Sequence, residues 1–401
     1  MKFKTLLLAI AFAGWAFGAA QAQVSVKIGV LNDRSGIYAD LTGEGSVTAA
    51  KMAVEDFKAD QKGIKVEIIS ADHQNKPDIG ASIARKWYDQ DGVDVIVDVP
   101  ASSVGLAVNQ VSREKQKVYL NSGSATSNLT DAQCSPYTVH WAYDTVALAN
   151  GTGGALVKQG GNTWYFLTAD YEFGHALERD TTAVIVKNGG KVIGSVKTPF
   201  PGTDFSSFLL QAQSSKAKVI GLANAGGDTI NSIKQAGEFG VTQAGQTLAG
   251  LLVFITDVHA LGLKTAQGLV LTSPFYWDMN DGTRAFSKRF GERTGGKMPS
   301  MVQAGVYASL LHYLKAVEAT KGKDAQQVVA KMKEMPTDDP LFGKGTIRAD
   351  GRKIHDVYLF EVKKPSESKG PWDYYKLLAT IPGDQAFRPL SESKCPLVNK
   401  S

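Results

Sequence analysis

The strongest constraint on the fold is an alternation along the chain of short apolar, β-branched runs with amphipathic helical stretches. Val24–Leu31, Lys65–Ser70, Val93–Val97 and Val118–Asn121 read as strands. Gly45–Asp60, Ile79–Gln90 and Ser103–Lys115 read as the helices between them. In the first of these, Val47, Ala50, Met52, Val54 and Phe57 recur near helical spacing, with Lys51, Glu55 and Lys58 opposite. Strands that are apolar on both faces, separated by helices, point to a parallel sheet covered on both sides.

The pattern then restarts. Val146–Gln159, Tyr171–Asn188, Ser206–Ser214 and Thr229–Phe239 read as helices. Thr163–Thr168, Lys191–Lys197, Val219–Leu222 and Leu251–Ile255 read as strands. The expected architecture is therefore α/β, with two successive doubly wound parallel units and a switch near Tyr143–Val146. Beyond it come a strand at Leu269–Ser273, helices at Thr283–Thr294 and Val302–Thr320, and a late strand at Asp356–Val362. Lys364–Lys369 reads as a polar loop, and Ala379–Ser401 as irregular.

The head of the chain carries a different signal. Met1-Lys2-Phe3-Lys4 is basic, Leu6–Ala20 is apolar, and Ala20-Gln21-Ala22 is a small-x-small cleavage site. Residues 1–22 read as a secretory signal peptide, so the mature chain is expected to start near Gln23 and to work outside the cytoplasm. The alternative is an uncleaved anchor, but the run is shorter than the ~20 residues a spanning helix needs. No later segment is long and apolar enough to span. Taking 22 residues from 401 leaves 379, beyond the ~250–300 at which single cores stop growing, so two domains are expected. The formal charge of +5 falls to +3 once Lys2 and Lys4 leave. No basic run with interleaved aromatics suggests nucleic acid. Cys134 and Cys395 are an even pair in an oxidising compartment, which suggests one disulfide tying down the tail; the alternative is two free thiols.

Catalytic patterns are near misses. Gly291–Lys297 has phosphate-loop spacing, but Met298 stands where Ser or Thr should hold a metal. Gly151-Thr152-Gly153-Gly154 lacks the third glycine of a dinucleotide fingerprint. No G-x-S-x-G elbow occurs, and no two of the six histidines stand at metal-ligand spacing. Neither an enzyme nor a cofactor or metal is expected.

The loops at the carboxyl ends of the strands point elsewhere, because in an open α/β sheet that edge binds ligands. They read Asn32–Asp40, Asp98–Ser103 and Asn121–Thr126, the last two dense in small hydroxyl residues. Hydroxyls and free backbone N–H groups at a helix start make an anion site without a formal positive charge. Simple capping and turn formation would use the same residues.

Taken together, several segments resemble the periplasmic substrate-binding proteins of ABC importers, of the branched-chain amino-acid (Leu/Ile/Val-binding) type. They are Val26–Val30 leading to Ser35–Asp40, Ala53–Asp56, Ser122–Thr126 with Leu129-Thr130, Asp170–Gly174, and Gly305–Ala308. The resemblance implies a type I periplasmic binding fold whose two lobes are joined by three crossovers, near Tyr143–Val146, Leu271–Pro274 and Thr346–Arg352. It implies a first lobe of residues 23–144 with 273–347, a second of 145–272 with 348–380, and an irregular tail at 381–401.

It also implies site residues. Ser102 and Thr126 would hold a ligand carboxylate with backbone at Ser124 and Ala125. Tyr38 and Tyr171 would be aromatic walls, with further contacts from Asn224 and Tyr307, though Tyr307 reads equally as core packing. Amino-acid binders of this family use a second-lobe carboxylate for the ammonium. Here the corresponding stretch is Leu252–Asp257, with Asp257 late and Asp228 at a helix start. That departure, and the aromatic cluster Ser273–Asp278, favour a small organic acid, aromatic or otherwise, delivered to a membrane permease by a monomeric periplasmic protein. Branched-chain or other amino acids, or a sensor of the same fold, are the alternatives.

Overall fold

The structure is a computed structural model that describes residues 23–398. The expected signal peptide lies outside the described residues. Strands β1 (Val24–Asn32), β2 (Ile64–Asp72), β3 (Val95–Asp98), β4 (Val118–Asn121) and β5 (Thr138–His140) form a parallel sheet in the order β2-β1-β3-β4-β5. Its central strands are buried on both faces, which is why β3 and β4 read as unbroken apolar runs. Helices Gly43–Phe57, Pro77–Asp89 and Ser102–Lys115 cover it, and so does a helix from far along the chain. Met301–Thr320 packs along Gly43–Phe57 and against β3 and β4. It is buried nearly all round, so its sequence shows little amphipathic contrast.

A second parallel sheet follows the same logic. It contains β6 (Thr163–Ala169), β7 (Lys191–Thr198), β8 (Val219–Ala223) and β9 (Thr247–Gly250), in the order β7-β6-β8-β9. The chain passes into it through Thr145–Leu148, a π turn at Ala149–Gly153, and Gly154–Lys158. β10 (Val270–Ser273) is followed by three short strands, β11 (Thr337–Asp339), β12 (Gly343–Ile347) and β13 (Lys353–Ile354). β14 (Val357–Val362) pairs antiparallel with β10 and with β15 (Tyr375–Ile381). The fold is thus α/β with two doubly wound lobes, one around each sheet; one apolar core runs from the first sheet into the second lobe as far as Trp164 and Phe166, and another fills the rest of the second lobe around Leu167, Ile220 and Leu222.

Three segments differ from the sequence reading. The apolar run Leu251–Ile255 is not a strand. The strand lies just before it at Thr247–Gly250, Leu251–Phe254 is a buried connection, and Ile255 opens the helix Ile255–Leu261. Its apolarity reflects burial, which periodicity alone does not distinguish from strand pairing. Ala379–Ile381 completes β15, so the irregular tail begins after it. Helix Ala325–Glu334 was not foreseen.

Backbone from distant parts of the sequence is pinned between the lobes. Arg352 is fully buried and donates to the carbonyl oxygens of Tyr143, at 3.0 Å, and Trp141. Its carboxylate neighbour Asp144 lies 3.6 Å away and also caps the helix start at Ala147. Cys134 and Cys395 form a disulfide across a separation of 261 residues.

Candidate functional site

The carboxyl edge of the first sheet is organised by buried amides. Asn121, at the end of β4, donates to the Ser124 carbonyl (2.7 Å) and accepts from the Ser124 N–H (2.9 Å) and the Tyr119 hydroxyl (3.0 Å). The Ser124 hydroxyl in turn donates to the Val99 carbonyl. Just after β3, Asp98 and Val99 adopt positive φ of 83° and 59°. That conformation is costly for a β-branched residue, and it turns the chain into helix Ser102–Lys115 at the sheet's edge. The helix opens with Ala101, and no side chain caps its first turn. The early N–H groups of a helix have no intrahelical partner, so this start suits an anion. Pro100, Gly123 and Ala125 form the wall beside it.

The second lobe faces this edge with rings. Tyr171 and Phe173 follow β6, Ala225 follows β8, and Leu252 and Phe254 follow β9. Phe200, after β7, stacks on Tyr171 with centroids 3.8 Å apart. Tyr38, Leu41 and Tyr143 complete the wall from the first lobe. The lobes meet directly. The Tyr38 and Tyr171 hydroxyls are 2.6 Å apart, and the Gly227 N–H donates to the Ile37 carbonyl at 3.3 Å. Gly226, at φ 58°, allows this approach, since a Cβ there would stand 2.7 Å from the Ile37 carbonyl oxygen. The remaining gap has some 240 Å³ of empty space but is so narrow that it takes about one water. A ligand would enter as the lobes part.

Three carboxylates stand near the seam. Asp257 is buried and accepts the Phe254 N–H at 2.9 Å; burial pushes its carboxyl up to about 7. Asp228 accepts the Gly202 N–H at 3.0 Å through Oδ1, while its buried Oδ2 has no hydrogen-bond partner among the described residues. Burial raises it to about 7 as well, and its charge bears on both Tyr38 and Tyr171, whose hydroxyls burial keeps protonated. Glu172 bridges the lobes by accepting from the Thr126 hydroxyl (2.6 Å) and the Asn128 amide (2.8 Å).

The expected site residues separate into three groups. Tyr38, Ala125 and Tyr171 line the cleft. Ser102, Ser124 and Thr126 stand around it with their groups engaged: the Ser102 hydroxyl accepts the Thr126 N–H at 3.2 Å, and the Thr126 hydroxyl holds Glu172. Asn224 and Tyr307 lie elsewhere. The Asn224 amide is tied to Ser232 (3.0 Å) and Thr229 (2.7 Å) inside the second lobe, leaving Ala225 as that loop's cleft residue. Tyr307 donates to Asp56 at 2.7 Å and packs on Phe286, between two helices of the first lobe. Sequence reasoning did not single out Phe173, Tyr143, Phe254 or Phe200. Phe173 was visible two residues beyond Tyr171; the others sit in connections with no local signature.

Among the described residues no group of three or more His, Cys, Asp or Glu is placed to hold a metal, and no helix is long and apolar enough to cross a membrane. The family model for periplasmic binding proteins matches residues 25–370. A periplasmic binding protein from Burkholderia mallei is 56% identical, with a TM-score of 0.91, covering 94% of this chain and 99% of that one. A branched-chain amino-acid ABC transporter periplasmic ligand-binding protein from Burkholderia xenovorans is 41% identical, with a TM-score of 0.83, covering 93% and 100%. The Leu/Ile/Val-binding protein homolog 6 of Brucella melitensis is 27% identical over 380 residues, 91% of this chain and 94% of the relative. This chain belongs to the periplasmic binding protein family.

Proposed function

We propose that this protein captures a small carboxylate, aromatic or another organic acid, between its lobes and delivers it to the permease of an ABC importer. In this reading it works as a monomer outside the cytoplasm and performs no chemistry. The lobes are residues 23–144 with 273–347 and 145–272 with 348–380, and they close on the ligand as a hinged pair. The observation that carries the reading is the composition of the cleft: Tyr38, Tyr143, Tyr171, Phe173 and Phe254 line it together with Pro100, and a helix that no side chain caps opens directly after Pro100. Flat rings bury well between aromatic walls, and the helix start takes the carboxylate without a formal positive charge.

One observation favours a second reading. The free Oδ2 of Asp228 beside Tyr38 and Tyr171 could take a ligand ammonium, which would make the ligand an amino acid. The two are separated by thermal-shift titration, since a ligand that binds only the folded state raises the melting temperature. We expect benzoate and phenylpropanoate to stabilise the protein and leucine to leave it unchanged. Stabilisation by leucine, abolished in Asp228→Asn, would overturn the acid reading in favour of the second.

A further inference from the structure

A second chamber lies behind Phe254. Phe254 lines the cleft, and it is also a wall of a separate space of similar size bounded by Phe275, Tyr276, Met301 and Tyr375. This chamber stands on the same seam as the cleft. Met301 opens the helix that packs on the first sheet, and Phe275 packs edge-on to Phe286 beside that helix, whereas Tyr276 and Tyr375 share a core with Leu167, Ile220 and Leu222 of the second sheet. It therefore opens and closes with the lobes.

The chamber has a distinct chemistry. No charged side chain lines it, so a second carboxylate or an ammonium would find no partner there. The Ser273 hydroxyl already donates to the Phe275 carbonyl at 2.6 Å, and the Tyr276 hydroxyl to the Trp372 carbonyl at 3.1 Å. Tyr375 differs. It is 5% exposed, and its hydroxyl is buried with no hydrogen-bond partner among the described residues. Buried hydroxyls are nearly always paired, so this one is available to a ligand.

We infer that the ligand site is bipartite and suits an elongated aryl acid. The carboxylate lies at the start of helix Ser102–Lys115, the body passes Phe254, and a neutral hydroxyl at the far end pairs with Tyr375. This rests on the reading of the cleft as a carboxylate site. Calorimetric titration of the purified protein with benzoate, phenylpropanoate and para-hydroxyphenylpropanoate tests it. In the wild type the hydroxylated acid binds most tightly. Tyr375→Phe weakens that acid alone, by about tenfold, the equivalent of one hydrogen bond. Phe254→Ala widens the passage and shifts preference from benzoate toward both longer acids. Benzoate binding with both longer acids excluded, or a hydroxylated acid indifferent to Tyr375→Phe, overturns the second chamber and leaves the carboxylate reading standing. Failure of all three acids to bind the wild type overturns both.

Discussion

Each lobe carries a buried asparagine at the carboxyl edge of an inner strand, Asn121 as the last residue of β4 and Asn224 just after β8, and the two are used differently. Asn121 clamps its own loop, holding Ser124 by both backbone groups, so this loop presents small residues and backbone to the cleft, with the rings of Tyr38 and Tyr143 coming from other first-lobe segments. Asn224 ties the following helix to itself through Thr229 and Ser232, and the second lobe meets the cleft with the rings of Tyr171, Phe173 and Phe254. The lesson is a division of labour. The first-lobe loop is a rigid polar edge whose geometry depends on its fold. The second-lobe wall is packing surface that can change without unfolding the lobe.

The sharpest challenge to that contrast is Asn121→Ala. It strands the Ser124 N–H and carbonyl and the Tyr119 hydroxyl in a dry site, at a cost on the order of 4 kcal/mol. Denaturant unfolding should show the loss, together with loss of ligand binding; a change under about 1 kcal/mol would mean that the loop is not held this way. Next in size is Tyr171→Ala. Removing a wall ring should weaken acid binding by about 2–3 kcal/mol, while the loss of its hydroxyl contact and of its stack on Phe200 lowers the stability of the free protein by less than Asn121→Ala does. If its stability fell as far as that of Asn121→Ala, the proposed division would be wrong.

Tyr171→Phe removes only the hydroxyl that meets Tyr38 at 2.6 Å. The expected effect is about 1 kcal/mol less stabilisation of the closed form, visible as a larger radius in small-angle scattering of the free protein. An unchanged radius would argue that this pair does not hold the lobes together.

A pH dependence gives a separate test. Burial raises Asp228 from its ordinary 3.8 to about 7, and does the same to Asp98 and Asp257. A native state that keeps protons which the unfolded chain has released loses stability as pH rises from about 4 to about 7. Asp228→Asn cannot ionise. It should melt with the wild type at pH 4 and somewhat above it at pH 8. Equal melting at both pH values would show that a cation or a hydrogen-bond donor stabilises the ionised Asp228 carboxylate in solution.

Much of this was legible in the chain. β1, β3, β4, β6 and β8 announce themselves because most of each is buried on both faces, and the helices between them because one side of each is wet. β9 was misplaced because its four residues include a glycine, while the apolar run beside it is buried without pairing. β15 was missed because most of it is exposed, so no apolar run marks it. Of the site residues implied by the family resemblance, Tyr38, Ala125 and Tyr171 line the cleft. Tyr307 and Asn224 could not be placed, because a tyrosine on a buried helix or an asparagine after a strand looks the same whichever way it points.

The sequence by itself determined the α/β alternation, the two units and the sheet edge at which the cleft lies. Each follows from local patterning and from the rule that open sheets bind at their carboxyl ends. Only the tertiary structure decided which groups face the cleft. Tyr38 reaches Tyr171, Glu172 reaches Thr126, and Phe254 stands between two chambers because separate lobes bring them together. Contacts across a seam are set by how two bodies dock, and no periodicity along one chain encodes that.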